Sequence, residues 1–405
     1  MTLTIIPSQL KGVITPPPSK SQAHRLLMAA ALGPGESELR NLAESEDIRA
    51  TKRCLEEIGP WVGPMSPLRR LALPRLDCGE SGSTLRFLIP IALAVRGGGV
   101  FTGRGRLMER PQKPYFDIFE EKGIFYEQKD GVLTVRGMLS PGKYTLPGNV
   151  SSQFITGLLY ALPLLEGDSY ICPTTPIESW DYILMTMDVL FQAGVVVEEP
   201  REGRPYFYIH GGQSYQPVRA TVEPDWSQAG FWFAAGALGN PVEVEGMKVP
   251  SVQGDWRYLE MQEQIYAAGA GAEVDVDVSQ NPDLVPPLAV AAALAAGRIT
   301  RLINAARLRL KESDRLRSVT AVLTALGADV EEGEDFLLIR GKERLAGGVT
   351  VDSYNDHRIA MMTAVAATRC EAPVTLTGGS SVNKSYPSFW EEYARLGGKT
   401  EEVPI

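Results

Sequence analysis

Apolar residues along this chain recur in helix-spaced runs, each of which ends at a glycine and is followed by a short β-rich segment. One set of Ala/Leu-rich runs ends at Gly33, Gly167, Gly239 and Gly297. A second set, amphipathic and followed by predicted strand pairs, ends at Gly123, Gly194, Gly327 and Gly397. Glycine at a helix end adopts the left-handed conformation that lets the chain turn back. The pattern therefore predicts helices that alternate with short strands.

The repeat spacing indicates how many such units the chain holds. Successive copies lie roughly 60–75 residues apart, so about six units fit. Helices that alternate with short strands favour an α/β protein made of repeated small units. A single Rossmann sheet fits poorly, because no GxGxxG follows an early strand, and Gly103-Arg104-Gly105 lacks the third glycine.

Length and charge narrow the functional class. A chain of 405 residues is long for one core, so two domains are expected. With 44% hydrophobic and 22% charged residues, the composition is that of an ordinary globular protein. The net charge of −9 argues against nucleic-acid or membrane-surface binding. Any anionic substrate must therefore be held by local basic clusters.

The cysteines and histidines indicate the cellular compartment of the protein and whether it has a metal site. The four cysteines lie far apart without a CxxC pair, which is typical of reduced, mostly buried thiols in a cytoplasmic protein. The N-terminus shows no signal peptide, and no apolar stretch is long enough to span a bilayer. The three histidines form no HExxH motif or Cys/His cluster, so no transition-metal site is expected.

The stretch 17–25, Pro-Pro-Ser-Lys-Ser-Gln-Ala-His-Arg, predicts a helix that begins with polar and basic residues. The prolines fix the chain before the helix, and Ser19 can cap it. Ser21 and Arg25 lie four residues apart on one face, with Lys20 in the same turn. Cations at a helix N-terminus make an anion site, because free N–H groups and the helix dipole point the same way. An exposed basic first turn fits this segment equally well.

Other segments combine polar or basic residues with the start of an apolar helix. They are residues 77–86, 149–153, 307–317 and 354–358, and the lone cation Lys384. Each has an ordinary explanation as a capped helix or, for 307–317, as an exposed salt-bridged helix. Together they predict that several helices direct their N-termini at one anionic ligand.

Five motifs, in this order along the chain, resemble those of the EPSP synthase family (3-phosphoshikimate 1-carboxyvinyltransferases). They are Ser19-Lys20-Ser21-x-x-x-Arg25, Glu109-Arg110-Pro111, Ser151-Ser152-Gln153-Phe154, Lys311-Glu312-Ser313-Asp314-Arg315 and Tyr354-Asn355-Asp356-His357-Arg358. The resemblance implies an α/β fold, a two-domain inside-out α/β barrel with six repeated βαβαββ units, three per domain. It also implies domains at 1–18 plus 224–405 and at 19–223, with the active site in the cleft between them.

The family reaction transfers the carboxyvinyl group of phosphoenolpyruvate to the 5-hydroxyl of shikimate 3-phosphate, in the shikimate pathway to chorismate and aromatic amino acids. The resemblance implies that Asp283 is the base, Glu312 the proton donor and Lys20 a contributor to proton transfer. The implied shikimate 3-phosphate site is Lys20, Ser21, Arg25, Ser151, Ser152, Gln153, Ser179, Asp283, Arg307 and Lys311. The implied phosphoenolpyruvate site is Lys20, Gly82, Arg110, Gln153, Arg315, Arg358 and Lys384. The resemblance also implies no metal and no organic cofactor. Only these two small molecules are expected as partners, with no nucleic acid and no membrane, and the protein is expected to be a monomer.

The chain departs from the family pattern at a few positions. Glu80 stands where the family commonly has Asn, so it either pairs with a nearby cation such as Arg86 or the local backbone differs. Arg307 also stands where Asn is common, and Trp180-Asp181 replaces the usual pair after Ser179. These departures affect the finer contacts to shikimate 3-phosphate.

Two alternatives stay open at this point. The sister enolpyruvyl transferases, which act on UDP-N-acetylglucosamine, share the fold but use a loop cysteine as proton donor, and the loop 104–111 contains none. A non-catalytic anion-binding protein with this fold is the other alternative. The joint presence of Asp283, Glu312 and all the matched cations argues against it.

Overall fold

The computed structural model describes residues 1–59 and 72–403 of the chain. The chain divides into two compact units, here called the inserted unit (Ser19–Glu223) and the terminal unit (Met1–Pro18 with Pro224–Ile405). Within the described residues each unit has ten strands, six α-helices and its own cluster of buried apolar side chains.

The strands, numbered in chain order, are β1 (Thr2–Ile6), β2 (Gly12–Ile14), β3 (Glu38–Arg40), β4 (Arg75–Asp77), β5 (Gly98–Thr102), β6 (Phe125–Lys129), β7 (Val132–Arg136), β8 (Gly142–Leu146), β9 (Ser169–Pro173), β10 (Val197–Glu198), β11 (Phe207–Ile209), β12 (Arg219–Thr221), β13 (Val242–Val244), β14 (Glu273–Asp277), β15 (Ile299–Ile303), β16 (Asp329–Glu332), β17 (Leu337–Arg340), β18 (Thr350–Asp352), β19 (Val374–Thr377) and β20 (Lys399–Glu402).

The α-helices are α1 (Lys20–Leu32), α2 (Glu46–Ile58), α3 (Gly82–Arg96), α4 (Lys113–Lys122), α5 (Ser152–Ala161), α6 (Trp180–Gln192), α7 (Trp226–Ala237), α8 (Tyr258–Ala267), α9 (Val285–Ala293), α10 (Arg315–Ala325), α11 (His357–Ala367) and α12 (Phe389–Arg395).

Four sheets share one βαβαββ pattern. In the inserted unit, β4 and β5 are parallel around α3, and β6 and β7 extend the sheet antiparallel in the order β4-β5-β7-β6. The sheets β10-β11-β9-β8 and β14-β15-β17-β16 repeat this arrangement. In the fourth sheet, β18-β19-β1-β20, the missing last strand is supplied by the N-terminal β1, whose Leu3 lies between Leu376 and Glu402.

The remaining sheet of each unit has two strands. In the inserted unit β3 pairs in parallel with β12, and in the terminal unit β2 pairs in parallel with β13. The six predicted units, three in each half, are therefore present. In the described residues two of them carry two sheet strands rather than four, so the uniform βαβαββ pattern holds for four of the six.

Apolar helices lie in the interior of each unit, with the sheets packed around them. Every residue of α9 and of α11 is buried, and α9 reads Val-Pro-Pro-Leu-Ala-Val-Ala-Ala-Ala. Helices that are apolar on all sides need protein contact on all sides, whereas β15 alternates buried and half-buried positions. Buried helices inside and one-sided sheets outside agree with the predicted inside-out α/β class.

Glycines end the helices where the apolar pattern predicted. Gly123, Gly194, Gly327 and Gly397 all have positive φ, from 65° to 101°, and each is followed by a strand. This conformation is accessible to glycine without steric cost, so the local sequence sets where these helices stop.

The four cysteines are free thiols, of which Cys54, Cys78 and Cys370 are buried and Cys172 half-buried. This confirms the prediction of mostly buried thiols. Over residues 1–59 and 72–403, the structure contains no helix with both the length and the apolar character that crossing a membrane demands.

Candidate active site

In the terminal unit, the predicted site residues lie at the starts of helices and in the turns before them. Asp283 is in the 3-10 turn Pro282–Leu284, directly before α9. Arg315 and Arg358 are the first residue of α10 and the second of α11. Asp314 and Asp356 cap these two helices, accepting from the backbone N–H of Arg317 at 3.2 Å and of Arg358 at 3.0 Å. Local capping chemistry therefore places both arginines in the first helical turn.

Three cations converge on the carboxylate of Asp283. Its Oδ1 lies 2.7 Å from Nη1 of Arg315 and 3.2 Å from Nζ of Lys311, and its Oδ2 lies 3.3 Å from Nη2 of Arg358. Burial by itself raises the pKa of Asp283, but the charges of Arg358, Lys311 and Arg315 outweigh it and hold the pKa well below its usual range. Asp283 is therefore ionised at neutral pH.

Arg315 joins two carboxylates. Its Nε donates to Oδ2 of Asp356 at 2.7 Å while Nη1 donates to Asp283, and both Arg315 and Asp356 are buried. Burial lowers the pKa of Arg315, yet Asp356, Asp283 and Glu312 raise it above its ordinary value. Asp356 also accepts from the hydroxyl of Ser313 at 3.1 Å. Arg315 is thus a charged group in a fixed orientation.

Glu312 lies beside the same cations. Its Oε2 is 3.0 Å from Nδ1 of His357 and 3.8 Å from Nζ of Lys384, and its Oε1 is 3.9 Å from Nη2 of Arg315. Lys384 also donates to the backbone carbonyl of Asn355. The carboxylate is therefore in contact with a ring that can carry a proton.

The segment 307–317 differs from the single exposed helix that was one interpretation of its charges. A 3-10 turn, Ala306–Leu310, is followed by non-helical residues, and α10 begins only at Arg315 because Asp314 caps it. Lys311 and Arg315 are consequently not neighbours on one helix but meet at Asp283. Arg307 is buried and donates to the backbone carbonyl of Ser279.

One group in the described residues has ligand atoms close enough to hold a metal ion. Atoms of Glu312, Asp356 and His357 lie within 4.8 Å of one another. The oxygens of Asp356, however, already accept from Arg315, Ser313 and the helix N–H of Arg358. Two cations border the group as well, so its chemistry fits an ion-pair network better than a metal site.

In the inserted unit, Ser19 caps α1 and Lys20 is its first residue. Nζ of Lys20 lies 2.7 Å from Oδ2 of Asp47, in the first turn of α2. One turn further on, Arg25 donates to the carbonyl oxygen of half-buried Ser21 at 2.8 Å. The predicted helix start and its polar face are confirmed.

Arg25 is a buried cation whose contacts are all neutral. Besides Ser21, its guanidinium donates to Oγ1 of Thr186 at 2.8 Å and to the carbonyl oxygen of Tyr182 at 2.9 Å. Burial lowers the pKa of Arg25 to about 10, against smaller opposing effects of Tyr160 and Tyr182. No carboxylate in the described residues offsets this charge, so the folded protein contains a cation suited to an incoming anion.

Gly82 and Arg110 are in direct contact. Gly82 is the first residue of α3, whose N-cap is Ser81. A Cβ atom added at Gly82 would lie 2.4 Å from Nη1 of Arg110. The missing side chain therefore lets a guanidinium lie against the start of α3, where free backbone N–H groups also favour anions.

Gln153 connects α5 to α3. Its backbone N–H donates to the cap residue Ser151 at 3.3 Å, its Nε2 donates to Oγ of Ser83 at 3.0 Å, and its Oε1 accepts from Nη1 of Arg86 at 3.0 Å. Arg86 also donates to the carbonyl oxygen of Pro111 at 3.0 Å. The neighbouring Ser152 is buried at the first position of α5.

Arg86, which was one candidate partner for Glu80, donates to Gln153 and Pro111. Glu80 lines a cavity of about 200 Å³ together with Glu46, Arg49, Arg53, Gly79 and Arg104.

Ser179, the remaining predicted residue, is buried directly before α6 with a φ of 59°.

Several residues hold the predicted site residues in place but were not themselves predicted as site residues. Two of them, Asp356 and His357, lie inside the 354–358 motif, so that motif was a signal for both. Asp47 pairs with Lys20 across 27 positions, and Arg86 with Gln153 across 67. No local pattern predicts these contacts, because packing of separate helices creates them.

Comparison with known proteins is decisive for the family. The family model for EPSP synthase (3-phosphoshikimate 1-carboxyvinyltransferase) matches residues 5–393. The chain belongs to the EPSP synthase family. A 3-phosphoshikimate 1-carboxyvinyltransferase of Clostridium acetobutylicum is 44% identical, with 98% of each chain covered. One from Clostridium kluyveri is also 44% identical, over 100% of this chain and 99% of the relative.

Solved structures of EPSP synthase family members and their relatives have the same fold. EPSP synthase of Acinetobacter baumannii matches with a TM-score of 0.76 and 26% identity over 99% of both chains. The enolpyruvyl transferase NikO of Streptomyces tendae matches with a TM-score of 0.77 at 15% identity, covering 100% of this chain and 99% of NikO, which shows the fold alone. The resemblance and the fold class predicted from the motifs are thereby confirmed.

Proposed function

We propose that the protein transfers the carboxyvinyl group of phosphoenolpyruvate to the 5-hydroxyl of shikimate 3-phosphate and releases phosphate, a step of the shikimate pathway to aromatic amino acids. The observation that carries the proposal is the carboxylate of Asp283 held by Lys311, Arg315 and Arg358. A base surrounded by cations suits a reaction that deprotonates a hydroxyl between anionic substrates. The full-length relatives named for this activity support it.

Each substrate carries a phosphate and a carboxylate, so four anionic groups must be bound. We assign shikimate 3-phosphate to ten residues: Lys20, Ser21, Arg25, Ser151, Ser152, Gln153, Ser179, Asp283, Arg307 and Lys311. Arg25 supports this assignment, because it is a buried charge with neutral contacts only. A phosphate there would supply the counter-charge that the folded protein lacks.

We assign phosphoenolpyruvate to a second group: Lys20, Gly82, Arg110, Gln153, Arg315, Arg358 and Lys384. Within the inserted unit the guanidinium of Arg110 lies against Gly82, at the N-terminus of α3. Within the terminal unit Arg315 and Arg358 share Asp283. The family resemblance assigns residues of both units to this substrate, and the cations Arg110, Arg315 and Arg358 support the assignment.

In the proposed reaction, Asp283 accepts the proton of the 5-hydroxyl as its oxygen forms a bond to C2 of phosphoenolpyruvate. Glu312 donates a proton to C3, which becomes a methyl group, and a tetrahedral intermediate results. The bond from C2 to the phosphate oxygen then breaks, C3 returns a proton to the carboxylate of Glu312, and the double bond is restored. Lys20 assists proton transfer, and the remaining cations stabilise the charge that develops.

The low pKa of Asp283 in the ligand-free protein makes it a weak base. Substrate phosphate and carboxylate groups would neutralise Lys311, Arg315 and Arg358, which removes the effect that lowers this pKa. Asp283 would therefore gain basicity when both substrates are bound. In this way substrate binding and proton abstraction are coupled electrostatically.

The test is to incubate the purified protein with shikimate 3-phosphate and phosphoenolpyruvate, without added metal and with a chelator present. Phosphate release that requires both substrates, with the carboxyvinyl adduct seen by mass spectrometry, is the expected result. UDP-N-acetylglucosamine, tested in parallel, should be inert. Turnover of the nucleotide sugar would establish the sister activity, and binding of both acids without turnover would establish a non-catalytic protein.

We further propose that the protein acts as a monomer in the cytoplasm without a nucleic-acid or membrane partner. Its free, mostly buried thiols support a reducing compartment. Light scattering coupled to size exclusion, with and without both substrates, tests the monomeric state.

A further inference from the structure

His24 is a buried imidazole in the first turns of α1 to which the proposed mechanism assigns no role. Its Nδ1 lies 2.8 Å from Oγ1 of Thr51 on α2. Lys20 and His24 are one helical turn apart on α1, and their partners Asp47 and Thr51 are one turn apart on α2. The two helices are therefore joined by an ion pair and, one turn further on, by a hydrogen bond.

The hydrogen bond from His24 continues into α3. Oγ1 of Thr51 lies 2.6 Å from Oγ1 of Thr84, and Thr84 donates from its hydroxyl to Oγ of Ser81 at 2.7 Å. His24, Thr51, Thr84 and Ser81 are all buried. Four side chains thus form one continuous chain of hydrogen bonds, here called the His24 relay, from α1 through α2 to the cap of α3.

The number of hydrogens in the His24 relay determines which group donates and which accepts in each of its hydrogen bonds. Each hydroxyl has one hydrogen, and that of Thr84 is used toward Ser81. Thr84 must therefore accept from Thr51, which leaves Thr51 only as an acceptor toward the imidazole. The ring then carries its hydrogen on Nδ1. Its Nε2, which is buried and has no hydrogen-bond partner among residues 1–59 and 72–403, is the unprotonated nitrogen.

The surroundings of His24 agree with a neutral ring. Burial is the largest effect, and together with the charges of Lys20 and Arg25 it holds the pKa of His24 well below its usual value. A neutral imidazole with the hydrogen on Nδ1 forces the Thr51 hydroxyl to point toward Thr84. Without that N–H the hydroxyls could rotate, and the network would have two orientations instead of one.

The His24 relay ends where α3 begins. Ser81 is the N-cap of α3, and its Oγ also accepts the backbone N–H of Thr84 at 3.1 Å. The next two residues are Gly82, against which Arg110 lies, and Ser83, which accepts from Gln153. The orientation of this cap therefore sets the surface that we assign to phosphoenolpyruvate.

We propose that His24 is a positioning residue for phosphoenolpyruvate, acting through Thr51, Thr84 and Ser81 on the first turn of α3. The inference rests on the proposed function for the identity of the ligand. Its structural part, a neutral His24 with the hydrogen on Nδ1, does not depend on that function.

Two matched pairs of variants test the role of the relay. H24M removes the N–H and H24N can replace it, because an asparagine amide nitrogen lies near the position of Nδ1. T51V breaks the relay at constant volume and T51S preserves it. We expect H24M and T51V to raise KM for phosphoenolpyruvate at least tenfold and KM for shikimate 3-phosphate less than threefold. H24N and T51S should stay within threefold of wild type for both substrates.

A double variant separates a relay from two independent packing defects. If His24 and Thr51 act through the same chain of hydrogen bonds, KM for phosphoenolpyruvate should rise no more in H24M/T51V than in the more affected single variant. An increase of this KM equal to the product of the two single increases, or equal increases of KM for both substrates, would overturn the proposal. If H24M fails to fold, the T51V and T51S pair gives the same comparison with the histidine in place.

Nitrogen NMR tests the structural part without turnover. The chain has only three histidines, so the signal of His24 is assigned as the one that H24M lacks. We expect the Nδ1–H tautomer at pH 7 and a ring pKa below that of an ordinary histidine. The Nε2–H tautomer, or a ring pKa at or above that of an ordinary histidine, would overturn the proposal. If the tautomer is as expected but wild type does not turn over the substrates, the proposed function fails and the relay stands.

Discussion

Nδ1 of His357 lies 3.0 Å from Oε2 of Glu312, across 45 positions of sequence. One proton suffices for this hydrogen bond, and it can reside on the ring or on the carboxyl group. Lys384 and Arg315 border the same carboxylate at 3.8 and 3.9 Å. If Glu312 is the proton donor, as we propose, the donated proton is shared with His357.

Replacement of His357 tests whether the proton is shared. We expect H357L to lower kcat about 10²-fold, in the range typical for loss of general acid–base catalysis, with little change in either KM. H357N should retain more activity, because its amide nitrogen can donate to Glu312. Steady-state kinetics over pH 6–9 for both variants is the measurement. A kcat of H357L close to that of wild type would remove the ring from proton transfer.

Replacement of Asp283 separates chemistry from binding. D283N keeps the shape of the side chain but removes the proposed base, so kcat should fall at least about 10³-fold. Shikimate 3-phosphate should bind with unchanged or higher affinity, because Lys311, Arg315 and Arg358 lose their common carboxylate. Calorimetric titration checks the affinity, and a near-normal rate would exclude Asp283 as the base.

The same substitution predicts a pH dependence of stability. The pKa of Asp283 is depressed in the folded protein, so its ion pairs stabilise the fold above the unfolded-state pKa of about 4 and lose this effect as pH falls below it. The melting temperature of wild type should therefore exceed that of D283N by a constant amount from pH 8 to 5. The difference should shrink below pH 4. A difference that already declines near pH 6 would mean that another group is responsible.

Helix starts were predictable from the sequence because capping is local. Ser19 caps a helix as predicted, Ser81 and Ser151 cap helices inside two other segments that were predicted as helix starts, and glycines such as Gly123 end helices as expected. In contrast, the parallel pairing of β2 with β13 joins residues about 230 positions apart. No periodicity specifies such a contact, which arises from burial of apolar faces once the helices pack.

The candidate site shows the same difference between local features, which were predictable, and long-range contacts, which were not. The residue types at helix starts predicted an anion site, while roles such as base and proton donor came from the family resemblance. The partners of those residues depended on tertiary packing: Asp47 for Lys20, His357 for Glu312 and the oxygens of Asp356 for Arg315. Segment 307–317 shows what the charge pattern alone cannot predict. That pattern is compatible with a single helix over the segment, whereas Asp314 caps a helix that begins only at Arg315.

Loss of Asp356 should be costly for the fold. D356A leaves the buried guanidinium of Arg315 without one of its two hydrogen-bonded carboxylates and removes the cap of α11. Breaking a buried ion pair from one side costs about 3–5 kcal/mol. D356N keeps one acceptor oxygen, which can still cap α11 and accept from Nη2 of Arg315 as Oδ1 does, but its amide nitrogen cannot accept from Nε of Arg315. We expect D356N to be less destabilised than D356A. Urea denaturation of both variants measures the difference, and an unchanged midpoint for D356A would contradict the argument.

A methyl group at position 82 should weaken phosphoenolpyruvate binding without unfolding the protein. The Cβ atom of G82A would lie 2.4 Å from Nη1 of Arg110, the mobile end of a long side chain, so the guanidinium can move away at little cost. We expect KM for phosphoenolpyruvate to rise about tenfold, which corresponds to about 1.4 kcal/mol, with KM for shikimate 3-phosphate and the melting temperature nearly unchanged. Equal increases of KM for both substrates would contradict the assignment of Arg110 to phosphoenolpyruvate.

Replacement of Arg25 should cost binding but not stability. The pKa of Arg25 falls from 12.5 to about 10 through burial, so its charged form costs the folded protein about 3 kcal/mol at neutral pH, a cost that disappears only as pH rises above 10. R25M removes that charge while keeping much of the apolar stem, so the melting temperature should be equal to or higher than that of wild type. Affinity for shikimate 3-phosphate should fall about 100-fold, which corresponds to about 2.7 kcal/mol. Calorimetric titration and thermal denaturation of R25M, with R25K as the variant that keeps a charge, provide the two measurements. A less stable R25M with unchanged affinity would show that the arginine serves the fold and not the phosphate.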